Sequence, residues 1–183
     1  MKLIDGHGSA RVVMCMLQNH LRLRRAVPED MNLLWRWAND NQVRKNAFSQ
    51  KSIEFDTHTK WFSEKLESDN CSMFIGINAE DIPVGQVRFD IAGNSAEVDI
   101  SVDHSFRNKG LGVELLRMGV TRLFLESPIE KVSATVKTDN ISSRKMFEGA
   151  GFFCNGETEV KGCRVHSFTV HRNKVQRKEG SYD

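Results

Sequence analysis

The spacing of apolar residues predicts two helices in the first third of the chain. Apolar side chains recur at helical intervals in residues 28–38, with a proline and two acids in the first turn, and again in residues 56–66. We expect Asp56 or Thr57 to cap the second helix. The polar stretch 39–51 between the two helices shows neither helical nor strand periodicity, so we expect it to be irregular.

The apolar pattern then changes to a period of two, which is typical of strands. Strands are predicted at residues 21–25, 71–78, 84–91, 95–103 and 131–137, and a final hairpin turns at Lys161-Gly162. Two further helices are predicted at residues 113–125 and 142–149. In chain order the elements are β α α β β β α β α β β. This order predicts an α+β fold, with helices on the faces of a sheet.

Composition narrows the class of protein without identifying a site. The 183 residues suit a single domain, which we expect at residues 21–172, and 39% of them are apolar. A formal net charge of +2 gives no argument for binding nucleic acid. The four cysteines lack metal-ligand spacing, so we expect free thiols and no metal. With no signal sequence or long apolar run, we expect a cytoplasmic protein without membrane contact.

A glycine loop joins the strand predicted at residues 95–103 to the next predicted helix. It reads Arg107-Asn108-Lys109-Gly110-Leu111-Gly112. Glycine lacks the Cβ atom that would keep a ligand away from the backbone, and successive N–H groups at the start of a helix bind phosphate. Arg107 and Lys109 add positive charge. The loop therefore predicts a pyrophosphate site, although a plain strand-to-helix turn would explain the same glycines.

A second motif lies at the helix predicted near residue 142. Asn140 precedes this helix as a cap, and Gly151-Phe152 turns the chain into a core strand. Together with Ser143 and Phe147, these residues and the glycine loop resemble the GNAT family of acetyl-CoA-dependent N-acetyltransferases. The resemblance covers roughly residues 21–172. It implies the GNAT fold, with a mixed, mostly antiparallel twisted sheet flanked by helices.

The resemblance also implies which residues bind acetyl-CoA as the cosubstrate. Backbone groups near the end of strand 95–103 would hold the pantetheine arm and polarise the thioester carbonyl. The residues implied for the coenzyme are Ile100, Ser101, Val102, Arg107, Asn108, Lys109, Gly110, Leu111, Gly112, Asn140, Ser143 and Phe147. Many family members have a tyrosine as general acid where this chain has Phe147. We therefore expect Ser142 or Ser143 to support the departing thiolate, directly or through water, unless solvent supplies the proton.

Direct transfer requires a neutral amine, because an ammonium group has no lone pair, and so it requires a base. Glu97 and Asp99 share the polar face of their predicted strand and are the first candidates, although a solvated strand face would carry the same residues. His58 is a third candidate. It belongs to a His-x-x-Trp-Phe segment that borders the acceptor site in branches of the family, while Trp61 and Phe62 also suit helix packing.

Further resemblances indicate the acceptor. Residues 21–66 resemble the acetyltransferase branch of pseudaminic-acid biosynthesis, which modifies the 4-amino group of a UDP-linked dideoxy sugar, a small-molecule acceptor. Arg44 and Lys45 would then meet the UDP phosphates. Residues 4–12 resemble the end of the nucleotide-sugar hydrolase of that pathway. We therefore expect residues 1–20 to be an appendage left from a fused or partnering hydrolase.

Other hypotheses about the function stay open at this point. The acceptor could be a protein N terminus of the ribosomal-protein type, or the domain could bind acetyl-CoA without turnover. Homodimerisation also stays open, because GNAT domains often dimerise. Residues 173–183 are expected to form a flexible, solvated tail.

Overall fold

The fold is given by a computed structural model, which describes residues 21–173. Its strands are β1 (Arg22–Arg25), β2 (Cys71–Ile77), β3 (Pro83–Ala92), β4 (Ser95–Val102), β5 (Lys131–Lys137), β6 (Phe153–Val160) and β7 (Cys163–His171). Its helices are α1 (Met31–Ala38), α2 (Asn41–Asn46), α3 (Phe55–Glu67), α4 (Leu111–Glu126) and α5 (Ile141–Gly149). One-turn helices at Pro28–Asp30 and His104–Phe106 precede α1 and follow β4. The predictions for residues 1–20 and 174–183 fall outside the described residues.

The seven strands form one sheet in the order β1-β2-β3-β4-β5-β7-β6. Every neighbouring pair is antiparallel except β4 and β5, which run parallel. The predicted α+β fold with a mixed, mostly antiparallel sheet is therefore confirmed. A parallel pair needs a crossover connection, and α4 provides it between the end of β4 and the start of β5.

Two apolar clusters lie on opposite faces of the sheet, because successive strand residues point to opposite sides. On β2, Phe74 belongs to the cluster under α4 and α5, whereas Met73 and Ile75 belong to the cluster under α1 and α3. The larger cluster includes Leu115 and Phe168, both fully buried. Helices therefore cover both faces of the sheet.

Two local predictions are wrong. The stretch expected to be irregular contains α2, because the Asp40 side chain accepts hydrogen bonds from the amides two and three residues further on and so caps a short helix. None of the residues of α2 is buried, so no apolar period marks this helix in the sequence. The N-cap of α3 is Glu54 and not Asp56 or Thr57, and no side-chain hydrogen bond caps this helix.

The described cysteines, Cys71, Cys154 and Cys163, are free thiols. Burial raises the pKa of the Cys71 thiol, which disfavours its reactive thiolate form. Among residues 21–173, no group of three or more His, Cys, Asp or Glu side chains is arranged to hold a metal ion. Within that same range, every helix is too short or too polar to cross a membrane.

Candidate active site

The parallel strands β4 and β5 separate partway along their length. On β4, only Ser95, Ala96 and Glu97 pair with β5. Beyond Glu97, β4 continues to Val102 beside β3, while β5 continues beside β7. A gap therefore opens between the two strands toward their carboxyl ends, and the backbone of β4 forms one of its walls.

Alternate backbone groups of β4 face this gap. The amide of Asp103 donates to the carbonyl of Val84 at 2.9 Å, on the β3 side. Because the residues bonded to one partner alternate along an antiparallel ladder, Ser101 also bonds toward β3, whereas Ile100 and Val102 present their N–H and C=O groups to the gap. Three residues were predicted to hold the pantetheine arm through their backbone, and two of them, Ile100 and Val102, therefore present backbone groups to the gap.

The glycine loop leads from β4 to α4 in a left-handed backbone conformation. Asn108 and Gly110 have φ angles of 61° and 80°, and Gly110 is the N-cap of α4. A Cβ atom added at Gly110 would meet no atom within 4 Å. No group among residues 21–173 accepts a hydrogen bond from the amides of residues 108–112. These donors, at the positive end of a helix of 16 residues, fit a pyrophosphate group.

The other residues of the loop divide between packing and charge. Leu111 is buried, and a Cβ atom at Gly112 would come within 2.9 Å of the sulfur of Met146 on α5. Gly112 therefore allows α4 and α5 to pack closely. Lys109 is exposed, and its Nζ lies 5.3 Å from the centre of the Phe106 ring. Its ammonium group is accessible to an anion at the loop.

The side chain of Arg107 is engaged within the protein. Its Nε donates to the carbonyl of Val102 at 3.0 Å, and a terminal nitrogen donates to Asp40 Oδ1 at 2.7 Å. Burial raises the pKa of Asp40, but hydrogen bonds from Arg107 and from the α2 amides lower it by more, so the pKa of this carboxyl lies below its ordinary value. The positive charge that the sequence offered to the pyrophosphate is paired here with a carboxylate.

Asn140 caps α5 and organises the serines that follow it. Its Oδ1 accepts from the amide of Ser143 at 3.2 Å and from the hydroxyl of Ser142 at 3.1 Å. Phe147 is buried, and its ring stacks on Phe168 with the centroids 5.6 Å apart. Phe147 thus packs in the core and has no proton to give, whereas both serine hydroxyls lie at least partly in solvent.

The two candidate carboxylates of β4, Glu97 and Asp99, differ in their hydrogen-bond partners. Asp99 Oδ1 accepts a hydrogen bond from Gln86 Nε2 at 2.8 Å, and Gln86 is buried. Arg88 lies opposite Asp99 in the register of β3 and β4. The Glu97 side chain is exposed, like that of Asp99. Gln86 was not predicted for the site, because it shares the polar face of an alternating strand with Arg88 and Asp90, and the sequence pattern does not distinguish it from them.

His58 is buried in the layer between α3 and the sheet. Its ring lies 5.3 Å from the Trp61 ring and 6.1 Å from the Phe62 ring, between centroids. Burial lowers the pKa of His58, so the ring is neutral at neutral pH. Its Nδ1 has no hydrogen-bond partner within the described part of the chain. Its 3% exposure favours a packing role over contact with an acceptor.

Helix α2 bridges the carboxyl ends of the strands that border the gap. At its start, Asp40 is bonded to Arg107, which follows β4. At its end, the carbonyls of Lys45 and Ala47 accept from Nζ of Lys137, the last residue of β5, at 3.4 and 2.7 Å. Neither Asp40 nor Lys137 could be predicted for the site, because their partners lie 67 and 90 residues away.

The surface beside this bridge is basic. Residues 41–53 contain three basic residues, Arg44, Lys45 and Lys51, and no acidic one. Arg44 braces its own loop by donating to two loop carbonyls at 3.3 and 3.4 Å, while Lys45 is exposed. From the turn between β6 and β7, Nζ of Lys161 lies 5.6 Å from the centre of the half-exposed Phe48 ring.

Comparison with known proteins agrees with this geometry. Residues 20–153 match the acetyltransferase (GNAT) domain. The chain is 28% identical over 145 residues to the SPbeta prophage-derived uncharacterized N-acetyltransferase YokL of Bacillus subtilis (strain 168), a match that covers 75% of this chain and 78% of that protein.

Solved structures show the same fold. Spermidine N-acetyltransferase from Vibrio cholerae, solved with CoA and spermine, has a TM-score of 0.77 at 18% identity, over 85% of this chain and 98% of that one. Aminoglycoside acetyltransferase AAC(6')-Ib, solved with coenzyme A, has a TM-score of 0.76 at 17% identity, over 88% of this chain and 100% of that one. The domain match covers most of the chain. The chain therefore belongs to the GNAT family and is an acetyl-CoA-dependent N-acetyltransferase.

Proposed function

We propose that this enzyme acetylates the amine of a nucleotide-linked amino sugar, of the UDP-4-amino-4,6-dideoxy type, by direct attack in a ternary complex. The observation that carries the proposal is the basic surface beside the mouth of the gap. A diphosphate is a strong acceptor of charge-assisted hydrogen bonds from lysine and arginine. An acceptor amine attached to a nucleoside diphosphate could therefore be held there by its phosphates.

The balance of charge supports an anionic acceptor. The names of the similar structures refer to spermidine and to aminoglycosides, which are polycations. Here residues 41–53 carry three positive and no negative side chains, and Lys137 and Lys161 add two more positive charges at the same rim. Like charges would repel a polycation from this surface.

The coenzyme side of the site rests on backbone donors. We propose that the amides of residues 108–112 bind the pyrophosphate and that Lys109 adds charge. The gap-facing backbone of Ile100 and Val102 would hold the pantetheine arm and polarise the thioester carbonyl. Asn140 caps the start of α5. Acetyl-CoA supplies the activated acetyl group to this arrangement.

The proton transfers are proposed for residues on both sides of the gap. Glu97 would take the proton of the acceptor amine, directly or through an ordered water. Asp99, held by Gln86 at 2.8 Å, would orient the amine. Because Phe147 has no proton to give, the hydroxyl of Ser143 or Ser142 would support the departing thiolate. His58 is too deeply buried to share in these steps.

The resemblance of residues 4–12 to a hydrolase end supports a further proposal, that the enzyme is fused to or works beside a nucleotide-sugar hydrolase. Such a hydrolase would act on the acetylated product, because the proposed acceptor still carries its nucleotide when the acetyl group is transferred. Homodimerisation and a cytoplasmic location remain proposals of the same kind.

The decisive experiment measures thiol release from acetyl-CoA with four acceptors: a UDP-4-amino-4,6-dideoxy sugar, spermine, kanamycin and a peptide with a free N terminus. We expect release with the UDP-sugar and competitive inhibition by UDP. Release with spermine, kanamycin or the peptide, and none with the UDP-sugar, would reject the proposed acceptor while keeping the family.

Variants refine the same assay. Lys45→Gln and Lys161→Gln should each raise the acceptor KM about tenfold, the loss expected for one charge-assisted hydrogen bond. Lys60→Gln, on the exposed side of α3, should leave the acceptor KM unchanged. Glu97→Gln should lower kcat and leave the acetyl-CoA KM unchanged. A Glu97→Gln enzyme with the turnover of the unmodified protein at every pH would remove Glu97 as the base.

A further inference from the structure

The segment that carries α2 forms a closed loop with a fixed base. Asn39 donates through Nδ2 to the carbonyl of Ile53 at 3.0 Å, and the amide of Ile53 donates to Asn39 Oδ1 at 2.7 Å. Trp35 Nε1 adds a bond to the same carbonyl at 2.8 Å. The two ends of the loop are thus joined to each other and to α1. Residues 40–52, which we call the strap, lie between these ends.

Within residues 21–173, polar side-chain bonds attach the strap on each side of the gap, and the Phe48 ring also lies against Lys161. Arg107 joins Asp40 to the carbonyl at the end of β4, with distances of 2.7 and 3.0 Å. Lys137 joins the end of β5 to Ala47 at 2.7 Å. None of the residues of α2 is buried, so apolar packing adds little to these two attachments. Segments of this kind open at low free-energy cost.

Arg107 cannot be counted as free for the coenzyme. One edge of its guanidinium group bonds to Asp40, and its Nε bonds to Val102. The five loop amides that follow it provide donors for a pyrophosphate without its help. We propose that the strap closes the mouth of the gap, and that Arg107 is the positioning residue that clamps the strap to β4 and not a ligand of the coenzyme phosphate.

The clamp links the two halves of the site physically. The carbonyl of Val102 belongs to the wall of the gap, and Asp40 is the cap of the helix that bridges its mouth. The clamp would therefore fix the position of the strap relative to an acetyl group in the gap. A fixed relative position of this kind favours reaction between the acetyl group and an acceptor amine held below the strap. This role of Arg107 holds for any acceptor amine, because it concerns only the gap and the strap.

The experiment combines hydrogen–deuterium exchange of the amides of residues 41–47, with and without saturating acetyl-CoA, with calorimetric measurement of acetyl-CoA affinity. The variants are Asp40→Asn, which keeps a good N-cap residue and removes the ion pair, Arg107→Gln, and the double variant. Arg107→Lys keeps the charge but cannot reach both partners. Arg22→Gln removes an exposed ion pair with Asp81 at the far edge of the sheet and serves as the control.

We expect Asp40→Asn and Arg107→Gln each to speed exchange in the strap about threefold or more, and the double variant to do no more than either alone, as for one coupled pair. Acetyl-CoA should slow this exchange about threefold in the unmodified protein and not in these variants. Because coenzyme binding and strap closure would stabilise each other equally, the acetyl-CoA dissociation constants of these variants should rise by no more than about threefold. Arg107→Lys should be intermediate, and Arg22→Gln should match the unmodified protein.

Two outcomes would overturn the proposal. If Arg107→Gln weakens acetyl-CoA binding by about tenfold or more, the loss expected for a charge-assisted bond, while Asp40→Asn does not, then Arg107 binds the phosphate. If neither variant changes exchange in the strap, or if acetyl-CoA slows exchange equally in the variants, then the ion pair does not clamp the strap to the gap.

Discussion

Gly110 and Asn108 give the coenzyme loop its shape, since both adopt positive φ angles. Such a conformation costs a residue with a Cβ atom roughly 1–3 kcal/mol, and glycine avoids this cost. The open space around a Cβ atom at Gly110 lies beside amides that no group of residues 21–173 occupies. The glycine therefore suits the backbone turn and, in the proposed coenzyme site, would also let a phosphate approach the amides.

Replacing Gly110 by valine should abolish measurable acetyl-CoA binding, because a branched side chain would strain the loop and fill the space beside its amides. Isothermal titration calorimetry with acetyl-CoA measures the effect. Gly93→Val is the matched control, since Gly93 has a φ of 60° and the same open surroundings, but lies in the turn between β3 and β4. It should lose a similar free energy of unfolding and bind acetyl-CoA normally; normal binding by Gly110→Val would remove the loop as the phosphate site.

Local signals at single residues were readable in the sequence. Asn140 was predicted as a cap because the helix it caps begins next to it, and the structure confirms the cap. The partner of Arg107 could not be predicted, because Asp40 lies 67 residues earlier and its choice depends on how α2 lies against β4. The same motif residue therefore looked like a phosphate ligand in the sequence and is an ion-pair partner in the structure.

At the scale of elements, α3 shows how an aromatic segment packs against the sheet. Trp61 contacts Arg88, whose guanidinium carbon lies 5.0 Å from the ring centre, and Phe62 is buried in the cluster with Met73. His58 stacks within this layer and carries no partner on Nδ1 in the described residues. Protonation of His58 would place an unpaired charge in an apolar layer, which is unfavourable.

The free energy of unfolding should therefore depend on pH through His58. Burial lowers the pKa of His58 in the folded state below the value of about 6.5 expected when unfolded. The contribution of the neutral ring is fully present above that value, and it is lost as the pH falls toward the folded pKa, by at most about 1.4 kcal/mol per pH unit.

Urea unfolding at pH 7 and pH 5 measures this dependence. His58→Phe should reduce the loss of stability between the two values, because phenylalanine fills the same aromatic layer and does not titrate. His171→Phe changes an exposed histidine at the end of β7 and should leave the loss as it is. An unchanged pH dependence in His58→Phe would mean that the ring gains its proton without cost in the folded protein.

Helix α2 marks the limit of prediction for elements. The helices with an apolar stripe, α1, α3 and α4, were predicted from spacing because one face of each is buried. Helix α2 has no buried residue and is held by Asp40 and Lys137, so its existence depends on contacts and not on periodicity. A polar helix that is held by contacts with residues distant in the chain cannot be predicted from the spacing of apolar residues.

For the whole molecule, the order of elements was sufficient to predict the α+β class. The change from helical to strand period and back predicted most of the strands and helices, and the resemblance to the GNAT family supplied the mixed, mostly antiparallel sheet. The separation of β4 from β5 was not predictable, because Val98 on β4 and Val136 on β5 continue the alternating pattern beyond the last paired residues. The spacing of apolar residues predicts which face of a strand is buried, but it does not predict with which other strand that strand pairs.

The separation of β4 and β5 should also make the stability of the whole molecule depend on its coenzyme. A ligand that binds only the folded state stabilises it by about 2.7 kcal/mol at one hundred times its dissociation constant. For a chain of 183 residues this corresponds to a rise in Tm of roughly 5–10 °C. Differential scanning fluorimetry with acetyl-CoA measures the rise, and Gly110→Val should show none. An equal rise in that variant would mean that the coenzyme binds without the glycine loop.

The parted strands have a consequence for the life of the protein in a cell. On the proposed binding of acetyl-CoA in the gap, the coenzyme would supply to β4 the hydrogen bonding that a neighbouring strand supplies elsewhere in the sheet. The supply of acetyl-CoA would then govern how much of the enzyme survives as well as how fast it works. A cell short of acetyl groups would hold less of this protein, because molecules without coenzyme open more often and reach proteases more readily.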